Sequence, residues 1–160
     1  MAILPILRFG NPILRQKSKR VSSIDGTIQE LIDDMIETMR DASGAGLAAP
    51  QIGKPLRVIV IGLPGEEPFA LINPQIVKKS GERDVVEGCL CLPGYRGEMK
   101  RAVSVTAKGR DRHGKEVRVK AEKLLAQTLE HEIDHLNGVL YIDHLQGEDS
   151  LYKLHQGDPP

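Results

Sequence analysis

The run from Glu122 to Gly138, EKLLAQTLEHEIDHLNG, constrains this chain more than any other stretch. Leu124, Leu125, Leu129, Ile133 and Leu136 recur at intervals of one, three and four, the period of a helix that buries one face. Gly138 supplies a stop just past the last turn. His131 and His135 stand four residues apart inside this helix, so both imidazoles project from one side. Together they can hold one divalent ion, with Glu132 beside it. This is the H-E-x-x-H arrangement of metal-dependent hydrolases. Asp134 reads as a surface residue of the helix or as an acceptor for an imidazole N–H.

Upstream, Ile28 to Arg40 carries a second apolar stripe, Ile28, Leu31, Ile32, Met35, Ile36 and Met39, and predicts a core helix. Thr27 and Glu30 form a capping box at its start, and Ser43 and Gly44 end it. The period then changes to two. Leu56 to Ile61, Ala70 to Lys78, Ala102 to Lys108 and Glu116 to Val119 predict strands, with Val139 to Ile142 as a last short one. Lys78 to Asp84 reads as a charged turn or exposed edge. No long helix separates the strands, so their pairing should be antiparallel. The expected fold is α+β: mostly antiparallel sheets packed around a central C-terminal HExxH helix. The expected organisation is one catalytic domain over residues 1–160. Within it, residues 1–22 form an irregular arm anchored by Ile3, Leu4, Ile6, Leu7, Ile13 and Leu14, and residues 146–160 form a short mobile tail.

Formal net charge is zero, which gives no electrostatic support for nucleic-acid or anionic-membrane binding. No stretch reaches the length of a membrane span, and Ala2 to Leu7 is too short and too broken by Pro5 for a signal peptide. The only cysteines, Cys89 and Cys91, alternate along the chain, so in a strand they would face opposite ways. Both facts suit a cytoplasmic protein with free thiols.

Two histidines do not complete a catalytic metal site, which usually has three protein ligands and an open position. His113, His144 and His155 fall in a turn, a post-helix segment and the tail. Cys89 lies in EGCLCLPG, where a strand-like segment meets Pro93 and Gly94, and a thiolate suits a borderline divalent ion. With Cys89, His131 and His135 as ligands, a fourth position stays free for water. Glu132 can then move that water's proton. The loop GAGLAAPQIG, Gly44 to Gly53, is small and lets backbone approach a ligand. Taken alone, its Gln51 reads as a hydrogen bonder that fixes the loop. HExxH by itself also permits a zinc metallopeptidase of other specificity. A closed site with Cys91 as fourth ligand would instead make a non-catalytic structural metal module.

Three segments, GAGLAAPQ (Gly44 to Gln51), EGCLCLP (Glu87 to Pro93) and HEIDH (His131 to His135), together resemble the signature motifs of the peptide deformylase family, in order and interval. The resemblance implies a hydrolase that removes the N-formyl group from the N-terminal methionine of newly made polypeptides and releases formate. It implies Cys89, His131 and His135 as ligands of one divalent ion, Fe2+ in the cell, with Zn2+, Ni2+ or Co2+ able to replace it. It makes Glu132 the general base and acid, and Gln51 with the Leu90 N–H the oxyanion donors. Gly44, Ala45, Gly46 and Leu47 should line the substrate, with Leu124 and Thr128 in the methionine pocket. Glu87 should hold an interior polar contact, as with an arginine. The expected partners are formyl-methionyl nascent peptides, with transient proximity to the ribosome. The expected location is the cytoplasm, or an organelle in a eukaryote. Two positions depart from the family pattern. The second motif usually ends in Ser where this chain has Cys91, expected to be a buried side chain facing away from Cys89. The long charged C-terminal helix of some bacterial members is missing from the tail.

Overall fold

The carboxylate of Asp25 accepts the N–H of Ile28 and starts the first helix, α1 (Gly26–Asp41). The cap thus lies two residues before the expected Thr27–Glu30 box. Asp caps as well as Thr, so the helix extends back through Gly26. The computed structural model describes residues 2–147 and 150–154. Ser43 at φ 56 turns the chain out of α1, and the Gly44 N–H closes onto the Met39 carbonyl.

Among the described residues eight strands follow: β1 (Gly46–Ala48), β2 (Val58–Ile61), β3 (Phe69–Ser80), β4 (Arg83–Cys89), β5 (Leu92–Arg101), β6 (Ser104–Arg110), β7 (Glu116–Glu122) and β8 (Leu151–Lys153). They form a five-stranded sheet of order β1-β2-β3-β6-β7 and a three-stranded sheet of order β4-β5-β8. Every strand pairing is antiparallel. The second helix, α2 (Lys123–Leu136), follows β7 directly.

The five-stranded sheet is apolar on both faces where helices cover it. Val58, Val60, Ala70 and Ile72 meet Ile28, Leu31, Ile32, Met35 and Met39 of α1. The alternate residues Ile59, Ile61, Leu71, Val105 and Ala107 meet Ala126, Leu129, Ile133 and Leu136 of α2. The fold is therefore α+β, with α2 lodged against the larger sheet. Leu124 does not join the apolar face of α2; it is 44 % exposed at the first turn.

Two expectations change. The predicted strand Val139 to Ile142 is a coil entering a 3₁₀ turn, Tyr141–His144, because the Asp143 carboxylate accepts the Leu140 N–H and curls the chain. Lys78 to Asp84 is not one turn: β3 runs to Ser80, and β4 begins at Arg83. The β4–β5 hairpin that follows supplies the second sheet.

The N-terminal residues run over the body with one 3₁₀ turn, Pro12–Arg15, capped by the Asn11 side chain. Leu14 is buried, Leu4 and Ile6 pack against the α1 cluster, and Ile3 stays 53 % exposed. Main-chain bonds tie the arm to distant elements: Leu7 N–H to Gln51 O at 2.7 Å, Phe9 N–H to Cys91 O at 2.7 Å, and Ser18 N–H to Leu136 O at 2.8 Å. His155 and most of the expected mobile tail lie outside the described residues. Among the described residues, no helix is long and apolar enough to cross a membrane.

At the end of α2, Gly138 has φ 74, and a Cβ there would sit 2.5 Å from the Arg15 carbonyl oxygen. A side chain would meet both backbone strain and the arm. Gly138→Ala should lower unfolding stability by roughly 1–3 kcal/mol from the left-handed backbone alone, with the clash adding to it. Urea denaturation followed by far-UV circular dichroism measures this loss.

Candidate active site

The register of the β4–β5 hairpin breaks between Glu87 and Cys89, and Cys89 pairs with Leu92 across the two-residue turn Leu90–Cys91. Such a break re-aims side chains. It directs the Cys89 thiol at the buried imidazoles of α2. Cys89, His131 and His135 each offer one ligand atom, and these atoms lie within 4.8 Å of one another. The Cys89 Sγ is 3.2 Å from His135 Nε2.

The tautomers suit a metal ion. His131 Nδ1 lies 2.8 Å from a Glu87 oxygen. An ionised carboxylate only accepts, so Nδ1 carries the proton. Burial lowers the His131 pKa, but Glu132 and Glu87 outweigh it and raise it, and it is in the neutral ring that Nε2 offers its lone pair. Burial, followed by the nearby His131, holds His135 well below the ordinary imidazole range, and the neutral ring is the ligand form. His135 Nδ1 is buried without a hydrogen-bond partner. A sulfur and two imidazoles converging in this way fit one divalent ion with a further position to fill.

Behind these three side chains lies an ionic cluster. Arg101, from the end of β5, donates Nε–H and Nη2–H to the two Glu87 oxygens at 2.7 and 2.9 Å. Its Nη1 donates to Asp134 at 2.7 Å. Burial alone would raise the Glu87 pKa, but the bonds from Arg101 and His131 outweigh it and hold it down at about 2. Asp134 also receives the His144 ring at 2.9 Å, so its imidazole partner is not a member of the ligand trio.

Glu132 is wholly inside. Burial pushes its carboxyl up to about 7 against the pull of His131, and its Oε1 has no hydrogen-bond partner. Gly46 of β1 passes so close that a Cβ would lie 2.7 Å from Glu132 Oε2 and 2.9 Å from Thr128 Cγ2. Only glycine fits between strand and helix there.

Gln51 sits in the 3₁₀ turn Ala49–Ile52 and is 1 % exposed. Its Oε1 accepts the Ala48 N–H at 2.8 Å, which leaves the amide N–H₂ pointing at Cys89 Sγ, 3.5 Å away. One side chain thus fixes the loop with its oxygen and presents a donor with its nitrogen.

The remaining sequence candidates distribute as follows. Leu47 is fully buried in the α1 core, and its backbone groups are turned to Val60 of β2. Leu90 is half-buried and packs near Gly44, where a Cβ would lie 2.9 Å from Leu90 Cδ1. The Ala45 carbonyl accepts the Gly62 N–H at 2.8 Å, just before β1. Thr128 is buried and donates its hydroxyl to the Leu124 carbonyl, which places the exposed Leu124 one turn outward. His113 is exposed on its turn, away from the trio. Cys91 contradicts its expected direction. Its Sγ–H donates to Cys89 Sγ at 3.1 Å, because the residue lies in the turn and strand alternation does not apply to it. Arg101 and Tyr141 were not foreseen by name; Tyr141 stacks on His131 with ring centroids 6.3 Å apart.

A sequence model of the family described as Polypeptide deformylase matches residues 3–150. The chain belongs to the polypeptide deformylase family. It is 58 % identical over 159 residues to the peptide deformylase of Dehalococcoides mccartyi (strain CBDB1), covering 99 % of this chain and 95 % of that protein. The crystal structure of a Legionella pneumophila peptide deformylase superposes with a TM-score of 0.88 at 46 % identity, covering 91 % of this chain and 87 % of the other. That of Synechococcus elongatus, in complex with actinonin, gives 0.89 at 40 % identity, covering 92 % and 81 %. The chain is thus a metal-dependent hydrolase that removes the formyl group from the N-terminal methionine of newly made polypeptides. This excludes the metallopeptidase of other specificity and the non-catalytic module as readings of the HExxH helix.

Glu87 is a depressed carboxylate, so the stability it contributes is complete above its ordinary value of 4.5. That stability is lost as pH falls towards about 2. Glu87→Gln should flatten that acid limb and cost roughly 3–5 kcal/mol at neutral pH, since Arg101 is left buried without its main partner. Urea titrations of both proteins across this pH range, in chelator, test it.

Proposed function

We propose that this chain works as a single catalytic domain whose ion is held by Cys89, His131 and His135. Glu132 is its general base and acid, and Gln51 with the Leu90 N–H are its oxyanion donors. The observation that carries the reading is the convergence of one thiol and two imidazoles on a point faced by a buried, unpartnered carboxylate oxygen and an oriented amide N–H₂. When bound, the ion supplies Lewis acidity, polarising the formyl carbonyl and acidifying a water.

The protein's own groups do the rest. Glu132 takes the water's proton and later delivers it to the departing amine nitrogen. Its raised carboxyl range lets it both accept and donate near neutral pH. The Gln51 amide and the Leu90 N–H donate to the formyl oxygen as negative charge develops there. The closeness of Gly46, Thr128 and Glu132 narrows the slot, so a carbonyl bearing only hydrogen fits more readily than a larger acyl group.

Among the described residues strand β1 is the edge of its sheet, paired with β2. Leu47 pairs its backbone with Val60, so it is Gly46 whose backbone groups face outward, where they suit pairing with an extended peptide. Gly44 and Ala45 lead into that edge, and Leu124 and Thr128 border an apolar space for the methionine side chain. The same reading takes Fe2+ as the cellular ion, with Zn2+, Ni2+ or Co2+ able to replace it, since a thiolate with two imidazoles suits these borderline ions. It places the enzyme in the cytoplasm, or in an organelle of a eukaryote. There it meets nascent chains near the ribosome without binding nucleic acid itself.

Glu132→Gln should keep its ion and lose on the order of 10²–10⁴ in kcat on a formyl-Met peptide. Gln51→Ala should lose about 10²–10³ in kcat with a smaller change in KM. Metal content by mass spectrometry and initial rates of formate release decide both. Full turnover by the Glu132 variant would remove that residue from its role.

A further inference from the structure

Cys91 is the one thiol that deformylation does not use, and it lies against the one thiol that it does. The two sulfurs are 3.1 Å apart, although an extended strand would have turned them to opposite faces. Cys91 occupies the turn position after Leu90, two residues from Cys89, so the chain itself keeps the pair within bridging reach. Their accessibility differs. Cys91 is 2 % exposed and packs with Leu14 and Leu140, whereas Cys89 is partly open. A small oxidant that enters with water therefore has readier access to Cys89 than to Cys91.

We propose that Cys91 is the resolving thiol of a reversible oxidation site, capturing oxidised Cys89 as an intramolecular disulfide that ejects the ion and spares Cys89 from further oxygenation. The proposal rests on Cys89 being a metal ligand. Hydrogen peroxide is the oxidant. The Cys89 thiolate attacks one peroxide oxygen, the O–O bond breaks, and the departing hydroxide takes a proton from solvent to become water. Cys89 is then a sulfenic acid, oxidised by two electrons while the peroxide is reduced by two. The Cys91 sulfur attacks the Cys89 sulfur and gives up its proton, the S–O bond breaks, and a second water leaves. A disulfide sulfur is no longer a thiolate, so it no longer holds the ion. Two thiols later restore the pair by exchange.

The test uses the full chain loaded with Zn2+, an ion that does no redox chemistry of its own. Treated with hydrogen peroxide, the native protein should release its zinc and lose both alkylatable thiols. Its mass should fall by two hydrogens, with peptide mapping placing a Cys89–Cys91 bond. Dithiothreitol should then restore zinc binding. Cys91→Ser and, as a second variant, Cys91→Ala should also release zinc. Their Cys89 should gain two or three oxygens, and most of the zinc binding should be lost for good. An oxygenated Cys89 beside a still-alkylatable Cys91 in the native protein overturns the proposal, as does a disulfide joining two chains. A separate measurement guards the premise. Cys89→Ala that binds zinc as tightly as the native protein would sink the ligand assignment, while the fate of the two native thiols is read independently of it.

Discussion

The buried pair between Glu87 and Arg101, both on the small sheet, fastens that sheet to α2 at the site. Both side chains are 3 % exposed, and the contact is two-pronged. Burying two charges is costly, and pairs of this kind contribute less to stability than their geometry suggests. What the pair does here is positional. Glu87 extends from β4 to orient His131 on α2, and Arg101 reaches from β5 to Asp134 on the same helix. The small sheet is thereby held at one height along α2. The height matters because Cys89 lies two residues beyond Glu87 and must meet the imidazoles. A one-residue slip of the hairpin would turn Glu87 and Cys89 to the other face together.

The parts that were legible in sequence are those whose logic is local. The stripes of α1 and α2 and the spacing of His131 and His135 follow from helical periodicity, and the helices bury most of those residues, with Ile36 and Leu125 half-buried and Leu124 exposed. Strands β2, β3, β6 and β7 of the larger sheet were readable within a few residues, whereas β1, the run Gly46–Ala48 without Val or Ile, was read as part of the Gly44 to Gly53 loop. The β4–β5 hairpin was not, because β5 contains Pro93, Gly94, Gly97 and four charged residues, a composition poor in strand formers. It exists by pairing with β4 and β8 and by packing Met99 and Val85 on Tyr141. Arg101 carries no local mark of its role, since nothing in the residues around it announces a carboxylate that is fourteen positions away in the chain. The direction of Cys91 failed for a related reason: alternation holds within a strand and ends where the strand turns.

Gln51 shows how a residue can satisfy two readings at once. As a loop-fixing group it accepts the Ala48 N–H, and this bond decides which end of the amide faces Cys89. A side chain with one end tied loses little further freedom when the other end is used. Gly46 follows the same economy of space. Removing one carbon lets β1 and α2 approach until the strand backbone lies beside Glu132.

The N-terminal arm bonds in turn to the Gln51 carbonyl, to the Cys91 carbonyl and to the last residue of α2. These acceptors belong to the three segments that assemble the centre, and they are spread over nearly the whole chain. During synthesis the arm is made well before Leu136, the acceptor for Ser18. It can settle there only after the later segment is in place, so its closure latches segments that are already formed. The arm's last latch thus waits for the helix that carries both histidines to leave the tunnel.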